Sequence, residues 1–308
     1  MRQRWKIALT LLAVLVLAAV TNAIITSRET APAMADVGRI VNLSGGDLQV
    51  REDGPPNAPA IVLLHGFAGS IHWWNGVAPL LARSHRVIRV DLLGHGGSQK
   101  PRDGYAVDHR AELVRQVLAR VGVEHALVVG HSMGGSVATA LVERDPALVN
   151  GLVLIDSPPN EESGRLPFVA RLQFVPVVGQ AIHRIAPDGA IRNGLAAAFA
   201  PGFDVPDQFV QDFRRMTYSS FDGNHRNFIE YLRRAPLDVR LARQHVPLLV
   251  IFGTEDHIVR PSAAQEFAHV PGAQIVTVSG AGQSPHVEAP AQTAASIIDF
   301  AARTRPVE

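Results

Sequence analysis

The chain has 308 residues, of which 47% are apolar, and its 29 lysines and arginines nearly balance its 28 aspartates and glutamates. A net charge of +1 without a basic stripe argues against a nucleic-acid partner. The absence of cysteine excludes disulfides, thiolate nucleophiles and cysteine-based zinc sites. The 13 histidines show no H-E-x-x-H pattern or other metal-ligand spacing, so the sequence predicts no metal site.

Residues 1–35 are predicted to be an export segment followed by a linker. Residues 1–6 carry three positive charges and no acid, and the following stretch, 7–25, is apolar except for three polar residues. This stretch is long enough to span a bilayer, which favours an uncleaved anchor with the remainder of the chain in the cell envelope, outside the cytoplasm. The alternative is a secreted protein, because Ala33-Met34-Ala35 resembles a signal-peptidase site.

Short apolar runs alternate with helical patterns through most of the remaining chain. A predicted hairpin over 39–52 is followed by apolar runs at 60–64, 87–90, 126–129, 151–155, 247–252 and 274–278. Wholly apolar strands of this length are typical of a parallel sheet that is covered on both faces. The pattern therefore predicts an α/β protein with a mostly parallel, doubly wound sheet.

The alternation breaks between 158 and 240, where strand-like runs are missing and helical periodicity appears over 168–185 and 207–234. We expect this segment to be a helical cap inserted into a core formed by 36–157 and 241–308. The cap begins with a strongly apolar run from Phe168 to Val178.

The segment Gly130-His131-Ser132-Met133-Gly134 lies between a buried apolar run and a helix of small residues. This is the G-x-S-x-G pattern of a nucleophile elbow. The serine must sit on a sharp turn, so the residues two positions away must be nearly free of side chain to let strand and helix approach. The sequence therefore makes Ser132 a candidate nucleophile.

Together with three further motifs in the same chain order, the elbow resembles the α/β-hydrolase superfamily in its cap-bearing branch, over roughly 37–304. The four motifs are His65-Gly66-Phe67, Gly130 to Gly135, Gly253 to Val259, and Gly280 to Pro290. The resemblance implies that Ser132 attacks an acyl carbon and that the backbone N–H groups of Phe67 and Met133 form the oxyanion hole.

The resemblance also implies that Asp256 is the acid that orients the catalytic base. Asp156, at the end of the preceding predicted strand, is the rival acid, since some family members place it there. No cofactor is needed by this chemistry.

One position departs from the family pattern, which is Gly-His-x-Pro in the last motif. The residue after Gly282 is Gln283, whose amide does not titrate near neutral pH and cannot take the serine's proton. His286, three residues later, is the weaker alternative base, because an extended segment would place it ~10 Å away. Either the triad is broken at Gln283, or a local turn brings His286 to Ser132 and Asp256.

These observations favour a serine-nucleophile carboxylic ester hydrolase, attenuated by Gln283, with an apolar acyl substrate. A serine in the elbow argues against haloalkane dehalogenase and epoxide hydrolase chemistry, which use an aspartate there in this fold. The open alternatives are a C–C bond hydrolase or perhydrolase of the same fold, and a non-catalytic protein that binds a small apolar ligand.

Overall fold

The computed structural model describes residues 2–164 and 168–304, without the side chains of Arg2, Phe168 and Val169. The predicted apolar contribution of Phe168 and Val169 to the cap therefore lies outside the described residues. The strands are β1 Arg39–Val41, β2 Leu48–Asp53, β3 Ala60–Leu64, β4 Arg86–Val90, β5 Ala126–His131, β6 Val149–Ile155, β7 Leu248–Gly253 and β8 Gln274–Val278.

The α-helices are α1 Arg2–Thr26, α2 Ala78–Leu81, α3 Val107–Arg120, α4 Met133–Arg144, α5 Phe168–Arg171, α6 Val178–Ile185, α7 Asp188–Leu195, α8 Asp207–Arg214, α9 Tyr218–Arg234, α10 Leu237–Leu241, α11 Pro285–Glu288 and α12 Pro290–Arg303. Five 3₁₀ segments accompany them at Ile71–Trp74, Glu161–Ser163, Leu172–Phe174, Ala196–Ala198 and Pro261–His269.

The strands form one eight-stranded sheet in the order β1-β2-β4-β3-β5-β6-β7-β8. β2 pairs antiparallel with β1 and β4, and every pairing from β4 through β8 is parallel. Because β3 and β5 are adjacent and parallel, the loop after β3 and the elbow after β5 leave the same edge of the sheet. The predicted mostly parallel α/β sheet is confirmed.

The central strands are apolar because both faces of the sheet are covered. Alternate residues of β3 belong to different clusters: Val62 packs with the cluster that holds α3 and α4, and Ile61 with the cluster that holds α2 and α12. Burial on both faces is the reason these strands appear in the sequence as unbroken apolar runs rather than alternating patterns.

Between β6 and β7 the described residues contain helices and no strand. The helical pattern predicted over 168–185 is divided into α5, a 3₁₀ turn and α6. The backbone leaves the helical region at Val175, which precedes Pro176 and has a ψ of 122°, and Val177 then has a φ of +69°. After β7, Pro261–His269 form a 3₁₀ segment. Side chains of α8 and α9, including Phe213 and Phe221, pack on Ala68 in the loop after β3, so this region covers the carboxyl edge of the sheet.

α1 is one continuous helix of 25 residues. By its length and composition, the stretch 3–26 is able to cross a membrane, and its most apolar 18-residue window has a mean hydropathy of 2.5. Such a helix at an N-terminus fits either an anchor or an export signal.

Candidate active site

Ser132 occupies a strained turn between β5 and α4. Its φ of 50° and ψ of −119° lie outside the regions that a serine normally adopts. A Cβ at Gly134 would lie 2.3 Å from the carbonyl oxygen of Leu64, and one at Gly130 would lie 2.6 Å from that of Gly134. The glycines of the predicted elbow are thus required by the close approach of strand and helix.

Two backbone amides flank the serine without partners. Neither Phe67, in the loop after β3, nor Met133, the first residue of α4, donates its N–H to an acceptor in the described part of the chain. The two loops touch, because a Cβ at Gly66 would lie 3.2 Å from the Ser132 Cβ. Unpaired N–H groups beside a nucleophile and at a helix N-terminus suit a developing oxyanion.

The side chain of Gln283 faces the serine from the loop after β8. Its Nε2 donates a long hydrogen bond of 3.4 Å to Ser132 Oγ, and the side chain is buried. The loop is held from both sides: His131 Nε2 donates to the Gln283 carbonyl oxygen at 2.9 Å, and Glu288 Oε1 accepts from Gly282 N at 2.9 Å. Gln283 is therefore a side chain that contacts the Ser132 hydroxyl directly.

His286 lies in a different environment. Its ring packs 4.5 Å from that of Trp74 and 4.4 Å from that of His131, measured between centroids. Both ring nitrogens are buried without a hydrogen-bond partner among the described residues, and burial holds the pKa of His286 well below its usual value. His286 forms no hydrogen bond to Ser132 or Asp256 in this part of the chain, so the local turn considered for it is not seen.

The two candidate acids lie at the ends of neighbouring strands. Asp256, after β7, accepts hydrogen bonds through Oδ1 from Ile258 N at 2.7 Å and Val259 N at 2.9 Å. Asp156, after β6, accepts through Oδ1 from Gly253 N at 3.0 Å and has a φ of 41°.

The other oxygen, Oδ2, of each acid is buried and accepts no hydrogen bond from a described N–H or O–H group. Burial raises the pKa of Asp256 to about 6, and burial together with the nearby Asp256 charge raises that of Asp156 well above its usual value. A proton held by Asp156 and shared with Asp256 would satisfy both free oxygens. No hydrogen bond joins Gln283 to Asp256 within the described residues, so the serine and the acid are not connected through position 283.

Arg110 on α3 is a site residue that the sequence reasoning missed. It is 1% exposed, its Nη1 lies 3.1 Å from Met133 Sδ and donates to Asn224 Oδ1 at 2.8 Å, and Nε and Nη2 have no described partner. Burial lowers its pKa to about 9. It places a positive charge beside Met133, whose backbone amide is one of the two that the sequence predicts for the oxyanion hole. Its one sequence signal is its place on the apolar stripe of α3, three residues after Val107 and four before Val114.

A polar junction links the loop after β3 to α8. The buried carboxylate of Asp212 accepts from Ser70 Oγ at 2.6 Å and from His72 Nδ1 at 3.1 Å. The hydrogen bond with Asp212 raises the pKa of His72, aided by Asp36, whose carboxylate is 3.6 Å from His72 Nε2. The sequence carries no signal for this junction, because 140 residues separate His72 from Asp212.

Aromatic side chains of the helical segment cover the oxyanion loop. The Phe67 ring lies 5.0 Å from that of Phe221 and 5.8 Å from that of His225, and His225 stacks on Phe174 at 3.8 Å. The surroundings of Ser132 on this side are therefore largely apolar. No group of three or more histidines, aspartates or glutamates able to hold a metal ion occurs in residues 2–164 or 168–304.

The chain belongs to the α/β hydrolase fold family, whose model matches residues 59–290. LipZ of Mycobacterium tuberculosis, which is named a hydrolase, is 30% identical over 281 aligned residues that cover 83% of this chain and 92% of LipZ.

Two solved structures show the same fold. A hydrolase from Pseudomonas aeruginosa is 25% identical with a TM-score of 0.73, and the match covers 87% of this chain and 99% of that one. A bacterial membrane phospholipase A is 23% identical with a TM-score of 0.72, covering 99% and 100%.

Proposed function

We propose that this protein is a carboxylic ester hydrolase with Ser132 as nucleophile, an apolar acyl substrate and a turnover attenuated by Gln283. The observation that carries the proposal is the strained Ser132 backbone, together with two amides of the adjoining loops, Phe67 N–H and Met133 N–H, that have no acceptor within residues 2–164 and 168–304. Strain of this kind persists where function requires it, and these donors suit the oxyanion of acyl transfer.

The chemistry would proceed by attack of Ser132 Oγ on the ester carbonyl, while the amides of Phe67 and Met133 stabilise the negative charge on oxygen. The Ser132 proton then needs an acceptor and the leaving alcohol needs a donor. Gln283 contacts Oγ as a donor, and its amide has no titration near neutral pH. Solvent water would have to take the Ser132 proton and return one to the leaving alkoxide, and a second water would hydrolyse the acyl-serine to release the acid. These proton transfers would be the slow steps in this chain.

The apolar acyl preference rests on the surroundings of Phe67. Phe174, Phe221 and His225 pack around this ring, and burial lowers the pKa of His225 to about 4, so it is neutral at pH 7. A hydrocarbon chain would find favourable contacts on such a surface, whereas a charged acyl group would lose its hydration there.

We further propose that α1 is retained as an anchor in the cell envelope, with the hydrolase domain outside the cytoplasm. The residues around the potential cleavage site are held by the folded core: Met34 N donates to the Gly97 carbonyl at 2.8 Å, and Asp36 pairs with Arg215. The positive charges before the apolar stretch favour a cytoplasmic N-terminus.

The test is hydrolysis of p-nitrophenyl esters by the full chain in detergent, compared with Gln283→His and His286→Ala. We expect a nearly inert parent, a gain of about 10²- to 10⁴-fold in Gln283→His, and little change in His286→Ala. Ser132→Ala added to Gln283→His should abolish the gain. A parent that turns over well and loses activity in His286→Ala would overturn the assignment of position 283.

The acyl preference is tested by extending the p-nitrophenyl ester from acetate to decanoate with the Gln283→His variant. We expect kcat/KM to rise with chain length up to the limit of the apolar surface. A steady fall from acetate onward would contradict an apolar acyl substrate while leaving the role of Ser132 intact.

A second candidate function is binding of a small apolar ligand without turnover, and the hydrogen bond from Gln283 Nε2 to Ser132 Oγ favours it. The two candidates differ in how Ser132 reacts with a fluorophosphonate. A hydrolase that lacks only its base should still label slowly at Ser132 and label fast after Gln283→His. A binding protein should label in neither form.

A further inference from the structure

The last turn of α1 is packed against α6. Ala23 and Thr26 are buried there, Gln180 Nε2 donates to Ser27 Oγ at 3.2 Å, and Arg184 Nη1 donates to Asn22 Oδ1 at 3.3 Å. The helical segment, rather than the sheet, thus receives the end of the N-terminal helix.

The linker after α1 keeps this arrangement in place. Ala31 forms an antiparallel bridge with Lys100, and Ser219 Oγ on α9 donates to the Glu29 carbonyl at 2.8 Å. Because the linker is bonded both to the core and to α9, it does not act as a free tether between α1 and the folded domain.

α6 and the turn before it present an apolar stripe to solvent. Val175, Val178 and Ile185 are 42%, 44% and 76% exposed. The i, i+7 spacing of Val178 and Ile185 puts them on one side of α6, opposite the buried Gln180, and Val175 lies in the turn just before the helix. Outside α1 and Met34, they are the large apolar side chains that stay exposed in residues 3–164 and 170–304. We call these three residues the α6 stripe.

We propose that the α6 stripe inserts into the lipid bilayer that α1 spans, on the outer leaflet. This inference deepens the proposed function and rests on its membrane anchor. About 20 residues at a rise of about 1.5 Å cover a hydrocarbon core of about 30 Å, so a span that starts after Lys6 ends near Thr26. α6 packs against α1 near Thr26, at the end of the predicted span. The α6 stripe would therefore lie at the depth where the acyl chains meet the headgroups.

This placement specifies the source of the substrate. The loop beside Phe67 contacts the same helical segment that carries the α6 stripe, through Phe174 just before Val175. An ester held in the outer leaflet would reach Ser132 along this apolar side. The substrate class is therefore an acyl lipid of the membrane in which the enzyme is anchored.

The experiment uses the absence of cysteine in the chain. Single variants Val178→Cys and Ile185→Cys of the full chain carry an NBD label in phosphatidylcholine–phosphatidylglycerol vesicles. Leu15→Cys, on α1, is the membrane control, and Ala295→Cys, exposed on α12, is the water control. Quenching is measured with iodide in water and with doxyl-labelled lipid.

We expect labels at 178, 185 and 15 to be quenched by doxyl lipid and to show an iodide quenching constant roughly threefold or more below that at 295. If iodide quenches the labels at 178 and 185 as strongly as the label at 295, while the label at 15 lies in lipid, the proposed insertion of the α6 stripe is wrong. A label at 15 in water would overturn the anchor and the stripe together. Neither readout needs turnover, so both are independent of the hydrolysis test.

Discussion

The elbow after β5 and the loop after β8 meet at Ser132. The elbow supplies a candidate nucleophile, whereas the loop after β8 supplies a side chain that does not titrate near neutral pH. The elbow keeps its strained serine and the glycines that leave no room for a Cβ. The loop after β8 is held as firmly, with Glu288 and His131 bonded to its backbone, but it presents the amide of Gln283. The backbone around Ser132 thus keeps the shape of a nucleophile elbow, while the side chain presented at position 283 is an amide rather than a titratable group.

The largest effect should come from the two acids once a base is supplied. In the Gln283→His background we expect Asp256→Asn to lower kcat by about 10²- to 10⁴-fold, because Asp256 is the carboxylate proposed to orient the new imidazole, whose N–H would replace the Asp156 proton as the donor to Asp256 Oδ2. Asp156→Asn should lower kcat by less than about tenfold, because Asp156 accepts a hydrogen bond from Gly253 N and interacts with Asp256 rather than with the new imidazole. A larger loss of kcat in Asp156→Asn than in Asp256→Asn would instead identify Asp156, at the end of β6, as the acid that orients the base.

A second effect separates the shape of the elbow from its chemistry. Gly134→Ala forces a Cβ against the Leu64 and His65 carbonyl oxygens, at 2.3 and 2.6 Å, and should lower the free energy of unfolding by about 1–3 kcal/mol in urea denaturation. Gly189→Ala on α7 is the matched control, because nothing lies within 4 Å of its Cβ. Equal stabilities of the two variants would show that the elbow is not tightly packed.

The buried acids should also make stability depend on pH. The pKa of Asp256 is raised to about 6 in the folded protein, compared with 3.8 in the unfolded chain. Below pH 3.8 the carboxyl is protonated in both states, so its burial does not lower the free energy of unfolding there. As pH rises from about 4 to about 6, the unfolded state loses the proton first and the free energy of unfolding falls, by at most about 1.4 kcal/mol per pH unit for one proton.

Asp256→Asn should reduce this slope, whereas Asp299→Asn, an exposed change on α12, should leave it unaltered. Urea denaturation at several pH values measures the slopes. Equal slopes in the parent and Asp256→Asn would show that the Asp256 carboxyl is not held protonated by burial.

The smallest effect concerns the oxyanion side of the site. The pKa of His72 is raised by its hydrogen bond to Asp212, so this junction contributes its full stability below about pH 6.5 and loses it as pH rises through the raised value. His72→Gln should remove this loss, which we expect to be on the order of 1 kcal/mol between pH 6 and 9. Identical pH profiles of parent and variant would exclude a charged His72 at neutral pH.

The sheet, the turn at Ser132 and the glutamine at position 283 could all be predicted from the amino-acid sequence. Ala126 to Val129 and the glycines around Ser132 are local patterns, and local sterics allow them few conformations. That the side chain of Gln283 does not titrate near neutral pH could also be stated from the sequence, because it is a property of every glutamine. Position 177 escaped prediction, because a valine with a φ of +69° contradicts its own local preference.

Which residues from distant parts of the chain come into contact could not be predicted from the sequence. The tertiary structure placed His286 against Trp74 and His131 rather than in hydrogen-bond contact with Ser132, and it brought Arg110 to Met133. It also packed the end of α1 on α6. Contacts between residues far apart in the chain follow from how sheet, helices and linker pack as a whole, and no short pattern in the sequence encodes that packing.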